Sequence, residues 1–388
     1  MRKIAIATGT RADWGLLSGI AKALQAREDC QVTVLATNMH LQERYGMTVN
    51  EIKADGMTDV RCVSMPETGD TPVGTVDAMA ACMSGMAHAL DEVRPDVAVI
   101  LGDRFEMLAT ASAALMLKVP IVHIAGGEIS EGAIDDSIRH AITKMSALHL
   151  TSTEVYRRRV IAMGEEPDRV INTGSIGVYN LMNERLMSRD ELEESIGFTL
   201  PAGSLLVTYH PATLDTADTA ENCRNLLDAL DRFPESHVLI TYPNNDAQGR
   251  VIIDAIEGYA RRNPDRVKVI PSLGKIRYLS ALRCVGAVVG NSSSGIIEVP
   301  STGIPTVNIG IRQKGRLCSE SVIHCGDSAD DIARAISFAL SDEGKKLAES
   351  SPNPYARPDT LRLSVEAIAE TPPERVRRKR FYDATMSE

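Results

Sequence analysis

The chain has 388 residues, 44% hydrophobic and 24% charged, with a formal net charge of -10. That length exceeds one comfortable hydrophobic core and suits two domains, and the composition excludes intrinsic disorder. The acidic balance speaks against nucleic acid as a partner, because phosphate backbones select basic faces.

In chain order, strands are predicted over 3–8, 31–37, 97–101, 120–125, 148–151 and 169–173. Helical patterns lie between them at 15–26, 76–93, 105–117 and 134–146. Continuous apolar strands separated by helices mark a parallel sheet covered on both faces. The alternation repeats with strands at 204–208, 237–242, 267–270, 286–289 and 305–309. The fold class is therefore α/β, with two Rossmann-like doubly wound domains at 1–175 and 176–360 and a C-terminal helix and tail at 361–388. Residues 183–203 read as one solvated helix and a Pro-Ala-Gly turn, and the basic run 375–380 as a solvated helix face or fraying tail.

The seven cysteines are odd in number and show no CxxC spacing, so neither a disulfide framework nor a thiolate zinc site is indicated. The apolar run at 3–7 is too short for a secretion signal, and no stretch reaches the length of a membrane span. A cytoplasmic protein without a membrane partner is expected.

Ligands of open α/β sheets bind outside the carboxyl ends of the strands, so the polar clusters there are the candidates. Thr8-Gly9-Thr10-Arg11-Ala12-Asp13 follows the first strand; the helix start would offer N–H groups to an anion, and Arg11 a fork suited to phosphate. Gly102-Asp103-Arg104 follows another strand, with Asp103 open to two readings, a helix N-cap or a catalytic carboxylate. His123-Ile124-Ala125-Gly126-Gly127-Glu128 is the densest cluster, with glycines that let backbone approach a ligand closely. On the helix after it, Asp135 with Arg139 and Asp136 with His140 stand four apart and can meet on one face.

In the second half, His210 ends one strand and Tyr242-Pro243-Asn244 the next. The stretch Asn291-Ser292-Ser293-Ser294-Gly295 offers hydroxyls and N–H groups to a diphosphate, with helix capping as the bland alternative. Glu298 would repel phosphate, so a ribose diol is its sensible partner, and Arg312 heads a group of three cations. No metal and no cofactor is expected: the histidines lack HExxH spacing, and Arg139 weighs against Mg²⁺ at Asp135-Asp136.

Taken together and in order, 9–13, 102–105, 123–128, 135–144, His210-Pro211, 291–298 and 308–316 resemble the hydrolysing UDP-N-acetylglucosamine 2-epimerase family of sialic and legionaminic acid biosynthesis. The resemblance implies a GT-B-like fold, a cleft between the two domains, a C-terminal helix packed back on the first, and a homodimer or homotetramer. It also implies metal-independent elimination of UDP to a 2-acetamidoglycal, then hydration that delivers a proton to the opposite face of C2. The free 2-epimeric sugar and UDP are the implied products. By the same resemblance, Asp103 and Asp135 carry the acid–base work, with His123 and Arg139 positioning them. Arg11, His210 and Arg312 would hold the diphosphate and Ser292, Ser293 and Glu298 the phosphate and ribose, with Arg104, Asn244, Asn291 and Gly295 as further substrate-binding residues.

One position departs from the family pattern. Typical members carry Glu, a proposed base, where this chain has Ala125; Glu128, and less directly Glu131, are the available replacements. The pattern over 128–136 looks closer to the branch acting on UDP-2,4-diacetamido-2,4,6-trideoxyglucose. Three alternatives stay open at this point: a non-hydrolysing epimerase, a GT-B glycosyltransferase, and a non-catalytic sugar-nucleotide-binding module.

Overall fold

The computed structural model describes residues 1–68, 71–131, 133–211, 218–243, 248–372 and 378–383. Two compact units emerge. One comprises Met1–Glu128, Asp135–Asn180 and Arg357–Glu388, the other Ile129–Ile134 and Leu181–Ala356.

The first unit holds β1 (Arg2–Thr8), β2 (Cys30–Ala36), β3 (Val60–Cys62), β4 (Val97–Leu101), β5 (Ile121–Ile124), β6 (Leu148–Thr151) and β7 (Val170–Asn172). They pair in parallel in the order β3-β2-β1-β4-β5-β6-β7. Strand side chains alternate between faces, and here both faces are apolar. Ile4, Ile6, Val32, Val34, Val97 and Val99 enter one layer, while Ala5, Ala7, Leu35, Ala98 and Ile100 enter the other. Each fully buried Val, Leu or Ile contributes roughly 1.5–3 kcal/mol.

The second unit repeats the plan with β8 (Leu205–Thr208), β9 (Val238–Thr241), β10 (Val267–Ile270), β11 (Ala287–Gly290), β12 (Thr306–Ile309) and β13 (Val322–Cys325). Their order is β10-β9-β8-β11-β12-β13, again all parallel. Leu205, Val207, Val238 and Ile240 face one layer, and Leu206, Leu239 and Val288 the other. The α/β, doubly wound reading therefore holds in both halves.

Each sheet reverses its winding once, between β1 and β4 in the first unit and between β8 and β11 in the second. Ligands of open α/β sheets gather at that switch point. The loops leaving those four strands begin at Gly9, Gly102, Tyr209 and Asn291. They carry Asp103, Arg104, His210, Asn291 and Ser292.

The C-terminal helix Thr360–Glu370 belongs to the first unit, where Ala367, Ile368 and Ala369 join the core layer that also contains Leu17, Ile20 and Leu24. Arg357 leads into it, donating from Nη1 to the Asn172 carbonyl at 2.9 Å.

Several expectations need correcting. The first helix starts at Arg11, not residue 15, because Thr10 and Asp13 form a capping box. Strands β3 and β13 carry no prediction, and the helix Arg189–Ile196 is not solvated all round: Leu192 and Ile196 are buried. Within the basic run, residues 375–377 lie outside the described residues, but Lys379 does not fray. Its Nζ stands 2.8 Å from the buried Glu165 carboxylate. Among the described residues, no helix is long and apolar enough to cross a membrane.

Candidate functional site

In the first unit the site is organised around Arg139, whose side chain is only 1% exposed. It sits one turn into the helix Asp135–Met145. Its Nη2 pairs with the Asp103 carboxylate, while Nη1 donates to the Glu128 carbonyl at 3.0 Å and to Asp136 Oδ1 at 3.4 Å. A buried guanidinium needs such partners, since an uncompensated charge there would be costly. Asp103 is partly exposed, at 21%. Of its two readings, capping is not realised: Arg104 occupies the N-cap position of the helix Phe105–Met116.

His123 is fully buried on β5. Its Nε2–H donates to the Gly102 carbonyl at 2.7 Å, which leaves Nδ1 to accept from Thr143 Oγ1 at 3.1 Å. Burial pushes its pKa down to about 3, against a smaller opposing effect of the Gly102 carbonyl. It is a neutral imidazole tying the residue before Asp103 to the helix that carries Arg139, which is a positioning role. Glu128 is 3% exposed and accepts from Ser152 Oγ at 2.8 Å. Asp135 opens the helix, partly exposed, and Asp136 also approaches His140 at 3.5 Å.

The Gly126-Gly127 turn serves the protein's own packing instead of opening room for a ligand. A Cβ at Gly126 would lie 2.9 Å from Thr143 Oγ1, and one at Gly127 would lie 2.7 Å from the Tyr156 carbonyl oxygen. Beside them, Ala125 adopts a left-handed φ of 66°, which is strained for a residue with a Cβ.

The β1 loop also differs from expectation. Three of its N–H groups are taken by the capping box: Gly9 and Thr10 donate to Asp13 Oδ2 at 3.3 and 3.0 Å, and Asp13 donates to Thr10 Oγ1 at 3.2 Å. They are not offered to an anion. Arg11 forms a fork with Glu51, Nε to Oε2 at 2.9 Å. Arg104 Nε pairs at 2.8 Å with Glu106, a completely buried carboxylate in the first turn of its helix. Burial, reinforced by the Glu106 charge, raises the Asp13 carboxyl to about 6.

In the second unit, Asn291 stitches the two switch-point loops together. Its Oδ1 accepts from the His210 N–H at 2.7 Å and its Nδ2 donates to the His210 carbonyl at 2.8 Å. The Asn291 carbonyl in turn accepts from Arg312 Nη1 at 3.1 Å and Gln313 Nε2 at 2.8 Å. The close approach requires Gly290, at φ 138°, where a Cβ would fall 2.0 Å from the Thr208 carbonyl oxygen. Ser292 is the N-cap of the short helix Ser293–Ile297, and Glu298 is its C-cap, 8% exposed. Gly295 has a packing reason, since Thr306 lies against its α-carbon and donates to its carbonyl at 2.7 Å. Asn244 lies outside the described residues.

The structure thus gathers Asp103, His123, Glu128 and Arg139 in one unit and His210, Asn291 and Arg312 in the other. Sequence reasoning missed Glu106, Thr143, Ser152 and Gln313. Glu106 carried a usable signal, as a lone carboxylate within the apolar, alanine-rich pattern at 105–117. Gln313, 2% exposed, carried none. Among the described residues, no group of three His, Cys, Asp or Glu side chains could hold a metal ion.

A family model described as UDP-N-acetylglucosamine 2-epimerase matches residues 22–369. The chain is 36% identical over 345 residues to the GDP/UDP-N,N'-diacetylbacillosamine 2-epimerase (hydrolyzing) of Campylobacter jejuni, covering 89% of both chains. It is 34% identical over 340 residues to the UDP-N,N'-diacetylbacillosamine 2-epimerase (hydrolyzing) of Legionella pneumophila, covering 88% of this chain and 89% of that one. The crystal structure of UDP-GlcNAc 2-epimerase from Neisseria meningitidis bound to UDP-GlcNAc superposes with a TM-score of 0.77 at 16% identity. It covers 96% of this chain and 100% of that one, a likeness of fold.

Proposed function

The chain belongs to the UDP-N-acetylglucosamine 2-epimerase family, and from that premise we propose that it is a hydrolysing 2-epimerase acting on a UDP-activated 2-acetamido sugar. The observation that carries the chemistry is Asp103, a partly exposed carboxylate held by a buried guanidinium. Abstraction of a weakly acidic C2 proton needs a fixed carboxylate, and fixing it is what Arg139 and the His123–Gly102 bond do. Asp103 and Asp135 divide the acid–base work. One takes the C2 proton as the C1–O bond breaks and UDP leaves with the electron pair. Water then adds its oxygen to C1 of the glycal, and C2 is protonated from the opposite face. Glu128 is the carboxylate available near the position of Ala125. In the second unit, His210, Arg312 and Ser293 hold the diphosphate, and Glu298 accepts from the ribose hydroxyls.

For the sugar we favour the 2,4-diacetamido-2,4,6-trideoxy form, because two relatives at 34–36% identity whose names specify hydrolysis also name diacetylbacillosamine. The product then feeds nonulosonic acid synthesis. A cytoplasmic homodimer or homotetramer completes the reading; seven cysteines, an odd number with no CxxC spacing, fit a reducing compartment.

The test is NMR product analysis in D₂O with UDP-N-acetylglucosamine and UDP-2,4-diacetamido-2,4,6-trideoxyglucose offered separately and without an acceptor. The expected result is UDP plus free 2-epimeric sugar with one deuterium at C2. Retention of UDP on the epimerised sugar would show a non-hydrolysing enzyme, and no turnover of either compound would sink the proposal.

A further inference from the structure

Within the first unit, on the side of the sheet where β6 begins, a second ionic cluster, built on a buried carboxylate, takes no part in the chemistry just described. Glu165, whose side chain is 1% exposed, accepts from Lys144 Nζ at 2.5 Å, from Lys379 Nζ at 2.8 Å and from His149 Nε2 at 3.0 Å. Desolvation alone would raise its pKa; the three donors outweigh it and hold the carboxyl below its ordinary range. Lys379 comes from the chain's C-terminal segment. Its ammonium also donates to the Lys144 carbonyl at 2.6 Å and the Ser146 carbonyl at 2.8 Å. The segment is further pinned by Tyr382 N–H to the Gly164 carbonyl at 3.0 Å and by Arg169 Nη2 to the Arg378 carbonyl at 2.7 Å.

Those two acceptors lie at the C-terminal end of the helix Asp135–Met145. The last carbonyls of a helix have no partner within it, and a cation there satisfies them and complements the dipole. The same helix carries Asp135, Asp136 and Arg139 in its first half, and Thr143, which donates to His123. It is a stiff rod of about 16 Å, so what fixes one end constrains the other. In β6, His149 stands in register with His123, so the cluster also touches the strand neighbouring β5.

We propose that Lys379 is a positioning residue for the chemical step, capping the far end of the helix that aims Arg139 and Asp135. This rests on reading that helix as part of the chemical centre. Loss of the cap should appear in kcat and not in nucleotide binding, since misplacement of about 1 Å can cost on the order of 100-fold in rate.

The experiment compares the full-length chain with Lys379→Met, which keeps most of the apolar stem. Lys379→Met should lower kcat roughly 10- to 100-fold with KM changed less than about threefold. Amide hydrogen exchange over residues 135–145 should accelerate at least about tenfold. Should this variant fail to fold, Glu165→Gln combined with Lys379→Met removes the carboxylate left short of a partner, and kcat should stay low because the helix end is still uncapped. Wild-type kcat in the double variant, or lowered thermal stability with kcat and exchange unchanged, would overturn the proposal and leave the tail a structural staple. The exchange measurement does not depend on turnover. If the wild-type chain acts on neither sugar nucleotide, the functional reading fails, while exchange still decides whether Lys379 holds the helix.

Discussion

Arg139 and Asp103 meet across the end of β4 with unequal exposure: the guanidinium side chain is 1% accessible and the carboxylate 21%. The cation is spent inside the protein, while the anion faces outward. That asymmetry suits a group that must receive or deliver a proton yet not drift.

It leads to a separation of effects. Asp103→Asn keeps the shape and loses the titrating oxygen, so kcat should fall by roughly 10²–10⁴-fold while the calorimetric affinity for UDP stays within about twofold. Arg139→Lys retains the charge but not the fork, and its kcat should drop about as far. Equal loss of UDP affinity in Asp103→Asn would contradict the division of labour between the two units.

Asn291 gives the opposite signature. Asn291→Asp can still accept from the His210 N–H but no longer donates to its carbonyl, and the added charge stands near the proposed phosphate seat. UDP affinity should weaken at least about tenfold, and stability should fall by roughly 1–3 kcal/mol for the unsatisfied buried carbonyl. Titration calorimetry and urea melts read the two separately; unchanged UDP binding would remove His210 from the nucleotide site.

Asp13 predicts a pH dependence of stability. Burial, then Glu106, raises its carboxyl from 3.8 to about 6, against Arg104 and the Thr10 and Gly9 donors. A raised folded-state pKa means this stabilisation is complete below about pH 4 and is lost as pH rises through about 6. Asp13→Asn keeps an acceptor for the Gly9 and Thr10 N–H groups but cannot ionise. Relative to wild type it should therefore gain stability between pH 5 and pH 7.5, by an amount on the order of 1–3 kcal/mol. Parallel melting curves across that range would refute the buried charge.

Ala125 offers a simple control. Its left-handed backbone favours glycine, so Ala125→Gly should be neutral to stabilising by about 1 kcal/mol after the entropy of the unfolded chain is counted. A methyl group exchanges no proton, so kcat should stay within about twofold. A large kcat loss would mean that the methyl itself shapes the sugar pocket.

The sequence made the layered architecture readable because the buried parallel strands are largely apolar: β4 is apolar and buried throughout and, like β6 and the edge strand β10, runs over the predicted residues. It concealed one edge of each sheet, β3 and β13. Val60-Arg61-Cys62 and Val322–Cys325 each pair on one side only, and their partly exposed residues leave no continuous apolar signal. Strand order is invisible in a single sequence, so the switch points that single out Gly9, Asp103, His210 and Asn291 could not be located from it. Asp103 and His123 stood out because titratable groups at strand ends are conspicuous. Arg139 stood out as a member of a pair on one helix face, but its reach to Asp103 spans 36 positions and has no local trace. Neither does Lys379, whose basic neighbourhood reads as solvated until Glu165 is seen beneath it.

The C-terminal helix has a consequence for any attempt to recombine this chain with its relatives. Ile368 is wholly buried in the core layer that also holds Leu17, Ile20, Leu24, Val97 and Val99, and Arg357 is bonded to Asn172. A gene fragment cut after residue 180 would therefore encode the first sheet with an apolar furrow laid open and the Asn172 carbonyl stripped of its donor. Exchanging the second unit between homologues cannot be done with a single crossover. The graft must end near residue 356, so that the host's own tail returns with the half it completes.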